Sequence, residues 1–260
     1  MKRRCALLAC AALLSACAAR LPARPSGPET PDPTAVDAFN QATRQCAGLQ
    51  RLTAELRLSG HAGRERLRGT LHVGLAAPAS LRVEAMAPIG QPVFVLAGRD
   101  NRATLLFPRD DRVLRDAPVA DVLERLTGLA LTATDLRLIL TGCLSVPANP
   151  SNGRSFARGW RAVTLASGVN AYLRDVNGPT VVVAADHGQW HVDYANHLNG
   201  WPRQVRIRSN SGEVDVTAAL GEFEVNTEID PLAFEVAVPA TAAPMTLDHL
   251  KSVMPLRASQ

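Results

Sequence analysis

The feature that most constrains the fold is an alternation of apolar and polar residues through most of the chain. Between residues 51 and 60 every second residue is apolar, and the same period recurs over 66–75 and 81–86. A period of two places successive side chains on opposite faces of a β-strand, so each segment is predicted as a half-buried strand. Short joins rich in Gly, Pro, Asn or Asp separate these segments. Such joins make neighbouring strands run antiparallel.

The same reasoning predicts strands in both halves of the chain. They cover residues 92–98, 102–107, 111–115, 160–165, 169–174, 180–185, 189–195, 203–209, 213–218 and 222–226. Because strand twist accumulates, a sheet of this size curls. The predicted fold class is therefore mainly β (α+β): a large curled antiparallel sheet, an open half-barrel of about eleven strands, with two or three short helices as a lid.

Apolar residues take helical spacing in only a few places. One short helix is predicted between Thr34 and Cys46, and two more between Pro118 and Cys143, with Thr34 and Thr134 placed to cap. The segment Ser145 to Arg158 is rich in Pro, Asn and Gly and is predicted to be a surface loop. Near the carboxyl end, Phe234 to Val238 resembles a strand and Leu247 to Val253 a short helix.

The amino-terminal residues predict export and lipid anchoring. Lys2, Arg3 and Arg4 precede an apolar run from Cys5 to Leu14, which is too short to span a bilayer. The tetrapeptide Leu14-Ser15-Ala16-Cys17 then resembles the bacterial lipobox, which implies cleavage before Cys17 and lipidation of its thiol. The alternative is an ordinary secretory signal beside a chance cysteine.

These patterns divide the chain into four parts. We expect a lipoprotein signal peptide over 1–16, a lipidated Cys17 with a Pro-rich tether over 17–33, a folded body over 34–228 and a carboxyl-terminal extension over 229–260. The tether is expected to be extended, because it lacks the apolar residues of a core.

The charge of the chain gives no reason to expect nucleic acid as a partner. Three of the 28 basic residues lie in the signal, so the mature chain carries 25 basic residues against 24 acidic ones. Arg64, Arg66 and Arg68, like Arg206 and Arg208, alternate with other residues along predicted strands and indicate a solvated sheet face.

Two cysteines remain in the body once Cys17 takes the lipid. In an exported protein Cys46 and Cys143 are most simply a disulfide pair. Such a bond would close a loop of 97 residues, and the chain-entropy model gives such a loop roughly 4 to 5 kcal/mol. The alternative is two separate buried thiols. A zinc site is not expected, since neither cysteine has a second ligand at metal spacing.

Catalytic patterns are scarce. The chain has no nucleophile elbow, phosphate loop or dinucleotide fingerprint. The best polar group is His187, His191 and Asp193, expected on the solvent-facing side of one strand. We therefore expect no enzyme, no catalytic residue, no metal and no cofactor. A lipid-active hydrolase would need a nucleophile and a base that the sequence does not display.

The loop that contains Pro88, Ile89 and Gly90 joins two predicted strands and carries a bare isoleucine at its tip. Such a residue either contacts something outside the molecule or folds back onto the sheet. Both alternatives are open from the sequence.

The run Ser80 to Gly90, the helix Leu123 to Gly128 and the Asp135-Leu136-Arg137 helix ending at Gly142 resemble the outer-membrane lipoprotein receptor family LolB. The segments Trp201 to Arg208 and Glu213 to Val225 resemble that family's final hairpin. The resemblance covers roughly residues 34–226, within the wider LolA–LolB superfamily of lipoprotein carriers.

What the resemblance implies is a half-barrel whose apolar cavity accepts the acyl chains of lipoproteins delivered by a periplasmic LolA-like carrier. Ile89 takes the place of the family's leucine that helps to insert cargo into the membrane. The expected location is the periplasmic face of the outer membrane, with the chain anchored through Cys17 and expected to be a monomer. The alternative is a lipoprotein of the same fold that carries another lipid or glycolipid, or a non-catalytic envelope-assembly subunit.

Overall fold

The computed structural model describes residues 24–145 and 147–253. The predicted signal peptide and the lipidation site Cys17 lie outside the described residues. Among the described residues, no helix is both long enough and apolar enough to cross a membrane.

The described chain forms one sheet of fifteen strands with four α-helices. The strands are β1 (Thr30–Pro31), β2 (Arg51–Ala62), β3 (Glu65–Ala76), β4 (Ser80–Met86), β5 (Phe94–Arg99), β6 (Arg102–Phe107), β7 (Arg112–Pro118), β8 (Ser151–Phe156), β9 (Trp160–Thr164), β10 (Asn170–Asp175), β11 (Thr180–His187), β12 (Trp190–Ala195), β13 (Gln204–Ser209), β14 (Val214–Val225) and β15 (Ala243–Pro244). The helices are α1 (Thr34–Ala42), α2 (Val119–Thr127), α3 (Ala133–Thr141) and α4 (Leu247–Val253).

The sheet consists of two antiparallel meanders that meet in the middle. Its order is β1-β8-β9-β10-β11-β12-β13-β14-β2-β3-β4-β5-β6-β7-β15, and β14 pairs with β2. Every described pairing is antiparallel except that of β7 with β15. Because β1 and β15 end the order, the described sheet is open. The predicted class of a large curled antiparallel sheet with few short helices is confirmed, although the strands outnumber the predicted eleven.

The period of two decides which face becomes the core. Along β2, Leu52, Ala54, Leu56 and Leu58 are at most 9% exposed. They belong to one apolar cluster with residues of all four helices. We call the face that carries this cluster the inner face and the opposite face the outer face. Helices α2 and α3 connect the two meanders, and their buried residues belong to this cluster, so they lie over the inner face.

The ends of the helices correct two predicted caps. The side chain of Asp32, rather than Thr34, accepts the Thr34 backbone N–H at the start of α1, at 3.0 Å. Thr132, not Thr134, caps α3 in a reciprocal box with Asp135. Thr132 has the extended backbone of an N-cap residue, and Asp32 presents its carboxylate to the first backbone N–H of α1.

Three strand predictions were wrong in detail. The predicted loop over 145–158 contains β8, which has no apolar alternation because it lies next to an edge and is held by main-chain pairing to β9 and β1. The two strands predicted over 213–226 are one strand with an irregularity between Gly221 and Glu224. The strand predicted over 234–238 does not form: a 3₁₀ turn, Pro231–Phe234, leads into residues 235–238, which have no regular secondary structure.

Each end of the described chain wraps around a different edge of the sheet. The N-terminal strap, residues 24–48, starts on the outer face, pairs β1 with β8 and places α1 on the inner face. The C-terminal strap, residues 227–253, packs on the outer face of β4 to β7, pairs β15 with β7 and places α4 against α2. Each strap therefore contributes a short terminal strand and a helix.

Candidate functional site

A cavity of about 100 Å³ lies between the inner face of the sheet and α2 with α3. Its walls are aliphatic: Leu56, Leu58, Leu71, Val73, Val83, Val205, Ile207, Val216 and Ala218 from the strands, and Leu123, Leu129, Leu131, Leu136 and Leu140 from the helices and their join. The remaining lining residue is Thr127, whose hydroxyl donates to the Leu123 carbonyl at 2.8 Å. The walls thus offer apolar surface and no polar group to select a headgroup. An aliphatic chain is the ligand chemistry that suits them.

Helix α3 is the fixed half of the lid. Cys143, just beyond its end, forms a disulfide with Cys46 in the N-terminal strap. This is the pair that the sequence favoured. The Arg137 guanidinium donates to the carbonyl oxygens of Leu49 and Gln50 at 3.2 and 3.0 Å, and burial lowers the pKa of Arg137 from its usual value. A covalent bond and a buried cation therefore hold α3 to the segment that leads into β2.

Helix α2 is held mainly by apolar contacts. Val119, Val122, Leu123 and Leu126 are buried along one face. The Val119 N–H donates to the Asn101 carbonyl at 2.9 Å. The helix ends at Gly128 in the left-handed region, with φ of 78°. Helix α2 follows β7 directly but contains no cysteine, so beyond the chain itself it is held by packing and not by a disulfide. It is therefore the half of the lid that can move away at the lower cost.

Gly128 sets how closely the lid approaches the sheet. A Cβ atom at this position would lie 2.8 Å from Val214 Cγ2 and 3.6 Å from Ala62 Cβ. Only glycine fits both this approach and the left-handed conformation. The predicted stop signal at residue 128 is therefore also a packing requirement of the cavity.

The loop around Ile89 projects from the end of the sheet. Ile89 is 87% exposed, so its side chain does not fold back onto the sheet. The Arg109 guanidinium supports the backbone by donating to the carbonyl oxygens of Ile89 at 2.8 Å and Gln91 at 3.1 Å. Pro88 and Gly90 are exposed as well. The structure thus presents an isolated aliphatic side chain on a braced turn.

The polar group His187, His191 and Asp193 is divided by the structure. His191 and Asp193 lie on the outer face of β12. His187 ends β11, across a hairpin, and stacks on Trp190 with ring centroids 4.2 Å apart. The prediction of a shared strand was wrong for His187, because the turn at Gly188 and Gln189 reverses the chain. The described residues contain no group of three or more His, Cys, Asp or Glu suited to a metal ion.

His191 and Asp193 instead form part of a socket for Arg24, which sequence reasoning did not identify. The Arg24 socket consists of Tyr172, Asp186, His191, Asp193 and Arg208. Arg24 pairs with Asp186 and lies 3.4 Å from Asp193, which also accepts from Arg208 at 2.8 Å. The Tyr172 hydroxyl donates to Asp186 at 2.9 Å.

Charge in this socket favours a neutral histidine. Burial, Arg24 and Arg208 lower the pKa of His191, while Asp193 acts in the opposite direction. Both carboxylates are engaged by arginine, so the group serves to hold the N-terminal strap. The only sequence signal for it was an arginine between prolines, and its partners lie more than 140 residues away.

No family model matches the chain, and no curated protein matches it. Among solved structures, a LolA superfamily protein from Nitrosomonas europaea is similar at 9% identity over 80% of this chain and 98% of that one, with a TM-score of 0.49. A protein domain from Vibrio parahaemolyticus, named as outer membrane lipoprotein-sorting, is 8% identical over 76% and 95%, with a TM-score of 0.48.

The lipoprotein LppX from Mycobacterium tuberculosis is 14% identical over 76% of this chain and 100% of that chain, with a TM-score of 0.33. At these identities and scores the likenesses carry no argument about this chain. The function therefore has to be argued from the cavity, the lid and the exposed loop.

Proposed function

We propose that this protein is a lipid-anchored, LolB-like receptor that takes up the acyl chains of lipoproteins in the cavity beneath α2 and α3 and inserts the cargo into the outer membrane. The observation that carries the proposal is the cavity itself, whose walls are aliphatic and whose one hydroxyl is already bonded within α2. The role is non-catalytic, since binding an acyl chain requires no bond to break.

The volume of the cavity indicates how cargo enters. Sites for drug-sized ligands usually measure about 300 to 1,000 Å³. The cavity of about 100 Å³ is smaller, so an acyl chain fits only after part of the lid has moved. Since α3 is tied by the Cys46–Cys143 disulfide and α2 is not, α2 is the part that moves. Each methylene that enters contributes about 0.8 kcal/mol, which offsets the loss of α2 packing.

The proposal assigns membrane contact to two further features. Cys17 carries the lipid that keeps the protein on the outer membrane, at its periplasmic face. Ile89 is the side chain that enters the bilayer when cargo is released, since it is exposed and its loop is braced by Arg109. A LolA-like carrier delivers the cargo.

The cavity is tested by filling it. Ala218 lines the cavity and its neighbour Ala219 is exposed on the outer face, so Ala218→Leu and Ala219→Leu add the same atoms on opposite sides of β14. The unlipidated chain from residue 18, exported into the periplasm, is analysed by native mass spectrometry for bound lipid and for displacement by an acylated lipoprotein. We expect Ala218→Leu to lose most of the bound lipid and Ala219→Leu to keep it. Equal binding by both variants would contradict the proposal.

The loop is tested separately by Ile89→Glu. The control is Leu232→Glu, because Leu232 is an aliphatic side chain of the same size that is also exposed, at 67%. We expect Ile89→Glu to retain cargo and to transfer it to vesicles at least tenfold more slowly, while Leu232→Glu transfers normally. Unchanged transfer by Ile89→Glu would remove the loop from the mechanism.

The alternative is a docking subunit of an envelope assembly, and the small volume of the cavity favours it. In that case no lipid would copurify with the protein or exchange under any condition. A bound glycolipid that lipoprotein does not displace would instead identify a carrier for another lipid.

A further inference from the structure

The turns at one end of the sheet form a continuous rim. The Gly63 N–H donates to the Glu213 carbonyl at 2.6 Å, which joins the β13–β14 and β2–β3 turns. Arg109 in the β6–β7 turn donates to Ile89 in the β4–β5 loop at 2.8 Å. Because neighbouring antiparallel strands reverse direction, the β11–β12 hairpin at Gly188 belongs to the same end. Ile89 is therefore the apolar tip of this rim.

Exposed arginines flank that tip. They are Arg64, Arg66 and Arg68 on the β2–β3 hairpin, and Arg109 and Arg112 on the β6–β7 turn; we call these five the arginine rim. The last pair between β3 and β4 is Thr70 with Met86. Arg68 and Arg66 precede Thr70 by two and four residues in β3, so they lie on the same face as Thr70 and extend beyond the point where the Ile89 loop begins. The same two turns contain three carboxylates, Glu65, Asp110 and Asp111, and the joined β13–β14 turn adds Glu213. The five arginines therefore still outnumber the four carboxylates.

The N-terminal segment reaches the same end. Arg24 is bound on the outer face against Asp186 and close to His191, next to the hairpin at Gly188. Only seven peptide steps separate Cys17 from Arg24, and these span at most about 25 Å. A lipid on Cys17 would therefore hold this end of the sheet, rather than the opposite one, close to the bilayer.

We infer that the arginine rim and Ile89 together dock this end of the sheet onto a bilayer surface rich in anionic phospholipid. The inference rests on the proposed function, because it names the surface that the Ile89 loop meets. One buried isoleucine favours membrane binding by only about ten- to a hundredfold. Each arginine near an anionic surface adds roughly fivefold, and guanidinium groups bind phosphate oxygens in pairs of hydrogen bonds. The arginines therefore make anionic lipid the preferred surface.

The test uses the unlipidated chain from residue 18 and cosedimentation with empty vesicles, made of phosphatidylcholine alone or with increasing phosphatidylglycerol. We expect binding to increase with phosphatidylglycerol and to weaken as sodium chloride is raised, because salt screens exposed charges. Arg66→Gln/Arg68→Gln should weaken binding to anionic vesicles roughly 25-fold, from the same fivefold per arginine. The control, Arg44→Gln/Arg158→Gln, removes two exposed arginines at the opposite end of the sheet and should change it less than twofold.

Equal losses from the two pairs, or equal binding to neutral and anionic vesicles, would overturn the inference, since net charge or the isoleucine alone would then explain the result. Unfolding midpoints of both pairs show whether either variant is misfolded. Cargo displacement is measured on the same variants without vesicles. If vesicle binding depends on the arginine rim but the protein takes up no acyl cargo, docking is supported and the proposed function is contradicted. If cargo uptake is normal but binding shows no preference for anionic vesicles, the proposed function is supported and docking is contradicted.

Discussion

Each of the two straps covers one edge of the sheet, but different interactions hold the two straps in place. Each starts on the outer face, adds a two-residue strand that contains a proline, Pro31 or Pro244, and ends as a helix on the inner face. Short edge strands with proline resist pairing with another chain. The N-terminal strap is held by charge at Arg24 and by the Cys46–Cys143 disulfide. The C-terminal strap has no disulfide among its described residues. Val236, Val238 and Ala242 pack on Leu106 and Val113 of the outer face, and Arg82 and Arg99 add hydrogen bonds to the strap and an exposed ion pair with Glu235.

The difference matters because each strap supports a different half of the lid. The disulfide joins the N-terminal strap to α3, while α4 of the C-terminal strap packs on α2. The strap with the disulfide thus fixes one wall of the cavity, and the strap without one covers the wall that moves in the proposed mechanism. Four predictions test this division of roles.

The disulfide should have the largest effect. Cys46→Ser/Cys143→Ser opens a loop of 97 residues, and we expect the free energy of unfolding to fall by about 4 kcal/mol. Urea unfolding with and without reductant measures it. Reductant should destabilise the parent protein by a similar amount and leave the double variant unchanged. A loss below about 1 kcal/mol would mean that packing alone fixes α3.

The helices of the straps give the next effect. Phe39 on α1 and Leu250 on α4 are both 0% exposed, so Phe39→Ala and Leu250→Ala each should cost about 2 to 5 kcal/mol. Hydrogen exchange separates them. Only Leu250→Ala should speed amide exchange in α2, because α4 packs on that helix. Asp248→Asn, at an exposed position of α4, is the control. Equal exchange in α2 for both alanine variants would contradict the division of roles.

The Arg24 socket should have a smaller effect. Arg24→Ala removes the cation between Asp186 and Asp193, and we expect a loss of about 1 to 2 kcal/mol, between the values for exposed and buried ion pairs. The loss of stability in Arg24→Ala should become smaller when the ionic strength is raised, whereas the loss in Leu250→Ala should stay the same. Urea unfolding at low and high salt makes the comparison. The same salt dependence for both variants would show that charge does not distinguish the straps.

The strands of the two meanders and the helices were predictable because their signal is local. Leu52 to Leu58 alternate, and the apolar face of α2 with its stop at Gly128 is visible in the sequence. The edge strands β1 and β15, and β8 beside β1, were not predictable, since pairing by the main chain leaves no pattern of side chains.

The candidate site divides in the same way. Ile89 and the cysteine pair are recognisable from single positions. The cavity is the space left between side chains that are far apart in the chain, and the Arg24 socket joins residues more than 140 positions apart. Neither therefore follows from a local sequence pattern.

The smallest effect is a dependence of stability on pH, part of which comes from the histidine in the Arg24 socket. Burial, Arg24 and Arg208 lower the pKa of His191 in the folded state, so the unfolded chain binds a proton first as the pH falls. Stability should therefore be complete above about pH 6.5, the ordinary histidine pKa, and decline as the pH falls below it towards the lowered pKa of the folded state. Burial also lowers the pKa of His197, which contributes with the same sign.

We expect His191→Gln to flatten part of the decline in stability between pH 7 and 5. Arg24→Ala should flatten it less, since Arg24 is one of the three causes that lower the His191 pKa. Urea midpoints over this range measure both. An unchanged slope in His191→Gln would place the titrating group elsewhere, and the socket would then hold Arg24 equally well at either pH.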